Sequence, residues 1–252
     1  MSSPFDHAGS FGKGAAAYAA NRPTYPDALF RWIAEVAPAR RLAVDVASGG
    51  GQGARGLLPH FERVVATDQS PELLATIPPA PNLTTLAQSA DALDLGERAD
   101  VLTVFQALHW FSGEVFWERV RANLASRGVF VVVGYAWFSV DTVFDRVFHG
   151  RVLPVLEPAW SPNNQLLLNG YRDVQIPFAA VPSAAFSIEL DWTLEQLVAY
   201  VSTWSAVTKI IAATGVNPIE GLIPALQAAW GSAPVRRVRM PLAVRAFRMA
   251  AD

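Results

Sequence analysis

A glycine-rich turn after an apolar run is the segment of this sequence best suited to bind a ligand. The run Leu42 to Ala47 contains one acid, Asp45, and leads into Ser48-Gly49-Gly50-Gly51-Gln52-Gly53. Glycines between a strand and a helix let the backbone approach a ligand closely and present amide groups at the helix N-terminus. The turn therefore predicts a ligand site, although a tight connection without a ligand would use similar residues.

A second acid ends the next apolar run and supports the ligand interpretation. Asp68 directly follows Val64 to Thr67. In doubly wound folds a carboxylate at this position accepts hydrogen bonds from ribose hydroxyls. The alternative role, capping the following helix, is already filled by Ser70. Asp68 and the turn together predict an adenosine-containing ligand.

The acid within the first run distinguishes between adenosine cofactors. Nicotinamide cofactors favour G-x-G-x-x-G after an apolar strand, whereas glycines here lie at 49, 50, 51 and 53 behind Asp45. An acid at the strand end would repel a diphosphate and suits a cationic ligand with a free amino group, such as S-adenosylmethionine. A nicotinamide oxidoreductase is the disfavoured alternative.

Five short apolar runs alternate with helix signals and must position these residues. The runs, each typical of a strand buried on both faces, are Leu42 to Ala47, Val64 to Thr67, Leu83 to Ala87, Val101 to Phe105 and Val129 to Tyr135. Strands alternating with helices predict an α/β fold with a doubly wound, mostly parallel sheet.

Local signals place the helices. A helix with one apolar face is predicted from Asp27 up to Pro38, and Ser70-Pro71-Glu72 predicts another helix start. Ser112 is the predicted cap of the helix that includes Glu114, and Gly128 its left-handed stop.

The second half of the chain is richer in proline and tryptophan, and its pattern is less regular. The predicted elements there are a strand over Phe186 to Trp192, helices over Leu194 to Trp204 and Ile219 to Trp230, and a strand pair or long edge strand over Arg236 to Met249. We predict an N-terminal helical lid over 1–40, a cofactor-binding core over 41–135, and a substrate cap insertion with the final strands of the same sheet over 136–252.

Composition narrows the possible partners. The chain has 252 residues, and its 20 basic and 22 acidic residues give a net charge of −2, which disfavours nucleic acid as a partner. The absence of cysteine excludes disulfides and thiolate metal sites. The apolar run between Arg127 and Asp141 is shorter than a membrane span, and no signal peptide is evident. We therefore expect a cytoplasmic protein without a membrane partner.

Several segments resemble one family in the order in which they occur. Asp45 to Gln52 resembles motif I of the class I S-adenosylmethionine-dependent methyltransferases. Tyr18 with Arg22 to Pro26, Gln106 to Phe111, and Thr203 to Val207 resemble the type 11 branch that includes trans-aconitate methyltransferase-like proteins. The resemblance implies a seven-stranded Rossmann-like sheet with N-terminal helices, a cap in the C-terminal half and S-adenosylmethionine as cofactor.

The resemblance also implies roles for individual residues. Asp45 would orient the methionyl amino group through water, Asp68 would hold the ribose, Asp91 would contact the adenine amine, and Gln106 would lie by the reactive methyl. The remaining implied cofactor-binding residues are Tyr18, Arg22, Ala47, Ser48, Gly49, Gly51, Gln52, Gln69, Ser70 and Ala90.

Motif I departs from the family pattern at two positions. Ala47 replaces the usual first glycine, and Gly50 replaces a threonine or serine. We expect Ala47 to keep a negative φ and the cofactor contact to be weakened or altered, not lost.

His109 follows the fourth strand and is the candidate general base, with a pocket wall as the alternative. A carboxylate acceptor would need no base, because its nucleophile is already ionised. His7, His60 and His149 are isolated, so no metal site is expected. The expected function is methyl transfer to a small-molecule oxygen. Alternatives are a nitrogen or carbon acceptor, or a non-catalytic module that binds the cofactor.

Overall fold

A seven-stranded, mostly parallel sheet organises residues 23–251, which are the residues that the computed structural model describes. Its strand order is β3-β2-β1-β4-β5-β9-β6. The strands are β1 Leu42–Val46, β2 Arg63–Asp68, β3 Leu83–Ala87, β4 Ala99–Phe105, β5 Leu124–Gly134, β6 Ala179–Val181 and β9 Ala243–Arg248. Strands β1 to β5 pair in parallel, and β9 pairs antiparallel with β5 and β6. The predicted fold is confirmed.

Burial in the sheet follows strand position. All five residues of β1, at the centre, are buried, as its continuous apolar run predicts. The prediction was wrong for β3, which is partly exposed along its length because it forms an edge. A strand at an edge has a neighbour on one side only, so its side chains gain less cover.

Helices connect and flank the strands. They are α1 Asp27–Val36, α2 Gln52–Leu57, α3 Pro71–Leu74, α4 Glu114–Asn123, α5 Thr142–Val147, α6 Leu153–Leu156, α7 Asn164–Leu168, α8 Leu194–Ser202, α9 Ser205–Thr214 and α10 Ile223–Trp230. Single 3₁₀ turns cover Ala90–Ala92, Leu108–Trp110, Glu157–Ala159 and Glu220–Leu222, and a π-helical turn covers Phe148–Val152.

Two of the predicted helix boundaries were confirmed and two were wrong. Helix α1 ends two residues before Pro38, and the Ser70 hydroxyl accepts from the Leu73 amide to cap α3. The cap of α4 is the backbone of Gly113, with no side-chain bond, and not Ser112. Arg127, with φ of 60°, takes the left-handed conformation expected of Gly128.

A second, two-stranded sheet shares an apolar cluster with helices α5, α6 and α8 to α10, and we refer to these elements together as the cap. This sheet pairs β7, Ser187–Trp192, with β8, Arg236–Pro241, in antiparallel register. The prediction of one strand pair or edge strand over Arg236 to Met249 was wrong, because β8 and β9 join different sheets. The helix predicted over Leu194 to Trp204 is shorter than expected, since α8 ends at Ser202 and Trp204 is the N-cap of α9.

The core has three apolar clusters. Two lie among the main sheet and its helices, around Phe116 and around Phe30, and the third fills the cap around Phe144 and Trp230. Tyr25 and Leu242 pack against both the Phe30 and the cap clusters.

No single helix among residues 23–251 has the length and apolar character needed to cross a membrane. Helices α8 and α9 satisfy the length and composition criterion only as a pair, and that pair is bent by 71°.

Candidate functional site

A cavity of about 400 Å³ opens beside the carboxyl ends of the parallel strands, where ligands bind in doubly wound sheets. Its lining comes from the connections that follow β1, β2, β3, β4 and β5. The lining residues are Pro23, Tyr25, Ala47, Ser48, Gly49, Gly50, Gln52, Gly53, Asp68, Gln69, Ser70, Leu73, Gln88, Ser89, Ala90, Asp91, Phe105, Gln106, Ala107, Trp110, Phe111 and Tyr135.

Most of the predicted site residues line this cavity. The predicted residues on the lining are Ala47, Ser48, Gly49, Gln52, Asp68, Gln69, Ser70, Ala90, Asp91 and Gln106. Asp45, Gly51 and His109 lie in the described chain but not on the lining. Tyr18 and Arg22 lie outside the described residues.

The glycine turn brings backbone to the cavity through left-handed residues. Gly49 has φ of 53°, and a side chain there would meet no atom within 4 Å, so this position faces open space. Gly51, with φ of 78°, precedes α2 and packs against Ile77. The expectation for Ala47 was wrong, because its φ is 55° and not negative.

Asp68 is held at the end of β2 with both carboxylate oxygens engaged by backbone. The Gly49 amide donates to Oδ2 at 2.8 Å, and the Ser70 amide donates to Oδ1 at 2.9 Å. A carboxylate offers about four lone-pair sites. Asp68 therefore keeps acceptor capacity toward the cavity, as a partner of ribose hydroxyls requires.

Asp45 lies fully buried, beneath the turn. Its Oδ1 accepts from the Thr103 hydroxyl at 3.1 Å, and its Oδ2 accepts no hydrogen bond of normal geometry. A side chain at Gly53, which lines the cavity, would come within 2.7 Å of Oδ2. Burial raises the pKa of Asp45 from 3.8 to about 7, opposed by hydrogen bonds from Thr103 and the Ala54 backbone.

Gln106 links the ends of β4 and β5 at the cavity. Its backbone is left-handed, with φ of 58°. Its side-chain amide donates to the Tyr135 carbonyl at 2.8 Å and accepts from the Tyr135 amide at 3.0 Å. Gln106 and Tyr135 both line the cavity, so this pair fixes one part of its wall.

His109 is placed differently from what a general base requires. Its side chain is buried, and its Nδ1 lies 3.1 Å from the Tyr171 hydroxyl. Burial lowers the pKa of His109 to about 4. Its neighbours Ala107, Trp110 and Phe111 line the cavity instead.

Five aromatic residues on the lining were not predicted as site residues, and they are Tyr25, Phe105, Trp110, Phe111 and Tyr135. The Tyr25 ring lies 4.7 Å from that of Phe105 and 5.9 Å from that of Tyr135, between ring centroids. Phe105 ends β4, and Tyr135 directly follows β5. Phe105 and Tyr135 lie at the carboxyl ends of predicted strands, and this position was the signal that could have identified them.

The charged residues on the described lining are both acids, Asp68 and Asp91. Partial burial raises the pKa of Asp91. Within residues 23–251, no group of three histidine, aspartate or glutamate side chains is placed to hold a metal ion. The described lining is thus anionic and suits a cationic ligand.

The residues present fit S-adenosylmethionine. Ser48 lines the cavity, and its hydroxyl is buried and has no hydrogen-bond partner in the described chain. Gly49 leaves open space, Asp68 keeps acceptor capacity, and the buried Asp45 Oδ2 accepts no hydrogen bond of normal geometry. Buried polar groups normally have partners, so these atoms indicate a ligand that would provide them.

Comparisons with known proteins identify the family of this chain. A family profile described as "Methyltransferase domain" matches residues 44–132. A Dictyostelium discoideum protein named as a methyltransferase is 25% identical over 241 residues, covering 92% of each chain. A Bacillus halodurans structure also named as a methyltransferase has a TM-score of 0.50 at 15% identity, over 88% of this chain and 99% of that one, and shows the fold alone.

A solved structure from Anaeromyxobacter dehalogenans, named as a type II methyltransferase, is much more similar. It has 36% sequence identity and a TM-score of 0.83, covering 92% of this chain and 99% of that chain. The likeness therefore includes the cap as well as the sheet. With the family profile over the glycine turn and Asp68, it shows that the chain belongs to the class I S-adenosylmethionine-dependent methyltransferases.

Proposed function

We propose that this methyltransferase transfers the methyl group of S-adenosylmethionine to an oxygen atom of a small-molecule acceptor. The observation that carries the cofactor assignment is Asp68, whose carboxylate is oriented by the Gly49 and Ser70 amides at the cavity. The trans-aconitate methyltransferase-like branch belongs to this proposal too, and it rests on the Gln106 to Phe111 and Thr203 to Val207 segments.

We base the cofactor-binding roles on polar groups on the lining and directly behind it. Asp68 would accept hydrogen bonds from the ribose hydroxyls, and Ser48 would donate or accept through its hydroxyl. Asp45 would attract the methionyl ammonium through water, because Gly53 separates its free Oδ2 from the cavity. Asp91 would face the adenine. An anionic lining favours the sulfonium form of the cofactor over its neutral product.

When bound, S-adenosylmethionine supplies an electrophilic methyl group, and transfer of that methyl leaves S-adenosylhomocysteine. The residues of the chain align donor and acceptor and exclude water, which is the main catalytic need of a direct displacement. Tyr25, Phe105 and Tyr135 provide an apolar, aromatic part of the wall, and this supports a small, partly apolar acceptor.

The position of His109 bears on the acceptor atom. With His109 away from the described lining, an acceptor that needs no base fits better than an aliphatic hydroxyl. Among oxygen acceptors this favours a carboxylate. A nitrogen or carbon acceptor on the same scaffold is the second candidate, supported by the absence of lysine, arginine and histidine from the described lining, which leaves an anionic acceptor without a cationic partner there.

The first test is calorimetric titration of the protein with S-adenosylmethionine and S-adenosylhomocysteine. We expect micromolar binding of both, weakened at least about tenfold in Asp68→Ala because a charged hydrogen bond contributes about 1.5–3 kcal/mol. Glu118→Ala, on the exposed side of α4, is the matched control and should bind like wild type. Folded protein that binds neither ligand would refute the proposal.

The acceptor class is tested by mass spectrometry of small molecules incubated with protein and cofactor. Panels of carboxylates, hydroxyl compounds and amines are compared at equal concentration. We expect a mass increase of one methyl in the carboxylate panel. Methylated amines alone would replace the oxygen proposal, and binding without transfer to any panel would support a non-catalytic cofactor-binding module.

A further inference from the structure

The turn after β4 presents some of its residues to the cavity and others to the interior. Ala107, Trp110 and Phe111 line the cavity, whereas His109 between them is 5% exposed and is not on the lining. The His109 ring packs against the Trp110 ring, with centroids 4.7 Å apart. The buried histidine therefore lies directly behind a cavity-lining indole.

Tyr171 meets this turn from the other side. Its ring is fully buried, and its hydroxyl lies 3.1 Å from His109 Nδ1. The backbone of Leu108 also hydrogen-bonds to that hydroxyl. With the Leu108 amide donating, the hydroxyl proton is directed to Nδ1 of a neutral imidazole. One phenol thus contacts two successive residues of the turn.

Tyr171 is itself held rigidly. Its backbone is left-handed, with φ of 58°, a conformation that persists in a bulky residue only where the surroundings enforce it. Its amide donates to the Leu166 carbonyl at 2.7 Å, and the Arg245 guanidinium of β9 donates to its carbonyl. Its ring packs so closely on Gly134 of β5 that a side chain there would come within 2.8 Å of it.

We propose that His109 and Tyr171 form a buried brace that fixes the 107–111 turn against the cofactor, so that His109 is a positioning residue and not a proton acceptor. The brace connects β5 and β9, through Tyr171, to the cavity wall at Trp110. This proposal rests on the proposed function, because it takes the cavity as the cofactor site.

The surroundings of His109 are consistent with this role. Burial disfavours the imidazolium that a base would become, and it lowers the pKa of the imidazole. Nδ1 is occupied by the Tyr171 hydroxyl, and no carboxylate in the described chain lies within ion-pair distance of His109. A general base must reach the acceptor in the cavity, whereas a positioning residue needs only its contact with Tyr171.

Four variants separate the two roles. Tyr171→Phe removes the hydroxyl and leaves the ring, His109→Ala removes the imidazole, and His109→Asn keeps an acceptor oxygen near the position of Nδ1 without a basic nitrogen. His60→Gln is the matched control. It removes a histidine that lies beside Asp27 and is remote in sequence from the 107–111 turn.

We expect Tyr171→Phe and His109→Ala to raise the KM for S-adenosylmethionine about three- to tenfold with kcat within about twofold of wild type. His109→Asn should restore most of the KM, and the pH profile of kcat should be the same in every variant. Thermal unfolding, measured in parallel, shows whether each variant is folded at the assay temperature.

A large loss of kcat in His109→Asn, together with loss of one limb of the pH profile, would refute the brace proposal. It would show that His109 acts as a general base. Unchanged KM in folded Tyr171→Phe would also overturn it. If Tyr171→Phe or His109→Ala is unfolded, the comparison of His109→Asn with wild type decides, and if His109→Asn is unfolded, the KM of folded Tyr171→Phe decides. Failure of the proposed function is distinguishable, because wild-type protein would then bind no cofactor at all.

Discussion

Ala47 has a left-handed backbone at the point where β1 enters the glycine turn. This conformation costs a non-glycine residue about 1–2 kcal/mol, while glycine loses roughly 0.5–1 kcal/mol in extra chain entropy. We therefore expect Ala47→Gly to raise the free energy of unfolding by about 0.5–1 kcal/mol in urea denaturation. Ala122→Gly, in the exposed face of α4, should lower it by about 1 kcal/mol. A loss of stability in Ala47→Gly similar to that in Ala122→Gly would contradict this account.

Asp45 predicts an unusual pH dependence for the ligand-free protein. Its pKa rises from 3.8 to about 7 on folding, so between these values the folded state holds a proton that the unfolded state releases. The free energy of unfolding then falls as pH rises from about 4 to 7, by up to roughly 4 kcal/mol from this group.

The measurement is denaturant unfolding of wild type and Asp45→Asn at a series of pH values. The variant cannot ionise, so its stability relative to wild type should increase with pH across this window and level off above it. A difference between the two proteins that is constant with pH would show that Asp45 does not titrate in this way.

For individual residues, the sequence predicted which ones lie near the cavity better than it predicted how deeply each is buried. Asp68 was predicted because it ends a strand of a parallel sheet, and Asp91 and Gln106 were predicted from the family resemblance; all three line the cavity. The depth of Asp45 and His109 was not predictable, since it depends on Gly53 and Tyr171, which cover them in three dimensions. The left-handed Ala47 was missed because local propensity argues against it.

Among the elements, α1 and α2 pack through a contact that tolerates no side chain. A Cβ atom at Gly56 of α2 would lie 2.0 Å from the Phe30 ring of α1. Overpacking of this kind costs about 1–3 kcal/mol. We expect Gly56→Ala to lower the free energy of unfolding by that amount.

Gly221→Ala is the control for Gly56→Ala, because a side chain at Gly221 would meet nothing within 4 Å. Its unfolding free energy should stay within about 0.5 kcal/mol of wild type. Equal values for both variants would mean that α1 and α2 are less closely packed than the structure shows.

Element prediction succeeded where the pattern was local and failed where partners decided the outcome. The buried runs of β1, β4 and β5 and the Ser70 cap are local features, and each was predicted. The edge position of β3 and the separation of β8 from β9 depend on which strands pair, and hydrophobic pattern does not specify pairing. The short strand β6 has too few residues for a pattern of its own.

For the whole molecule, cofactor binding should measurably increase the free energy of unfolding and the Tm. A ligand that binds only the folded state at about 100 times its Kd contributes about 2.7 kcal/mol, which corresponds to a Tm increase of about 5–10 °C for a chain of this size. We expect this increase with S-adenosylhomocysteine in thermal unfolding. Asp68→Ala should show about half of it or less at the same ligand concentration, and equal increases would argue against Asp68 as the ribose partner.

The passage from β8 to β9 links the two sheets through one residue. Pro241 ends β8 in the cap sheet, Ala243 begins β9 in the main sheet, and Leu242 alone lies between them, its amide bonded to the Phe186 carbonyl. The Ser139–Arg239 bridge joins β8 to the segment that leaves β5. A hinge at this point could change only the φ and ψ angles of Leu242, because the φ angle of the neighbouring Pro241 is restricted. The two sheets are therefore held in a nearly fixed relation where β8 passes into β9.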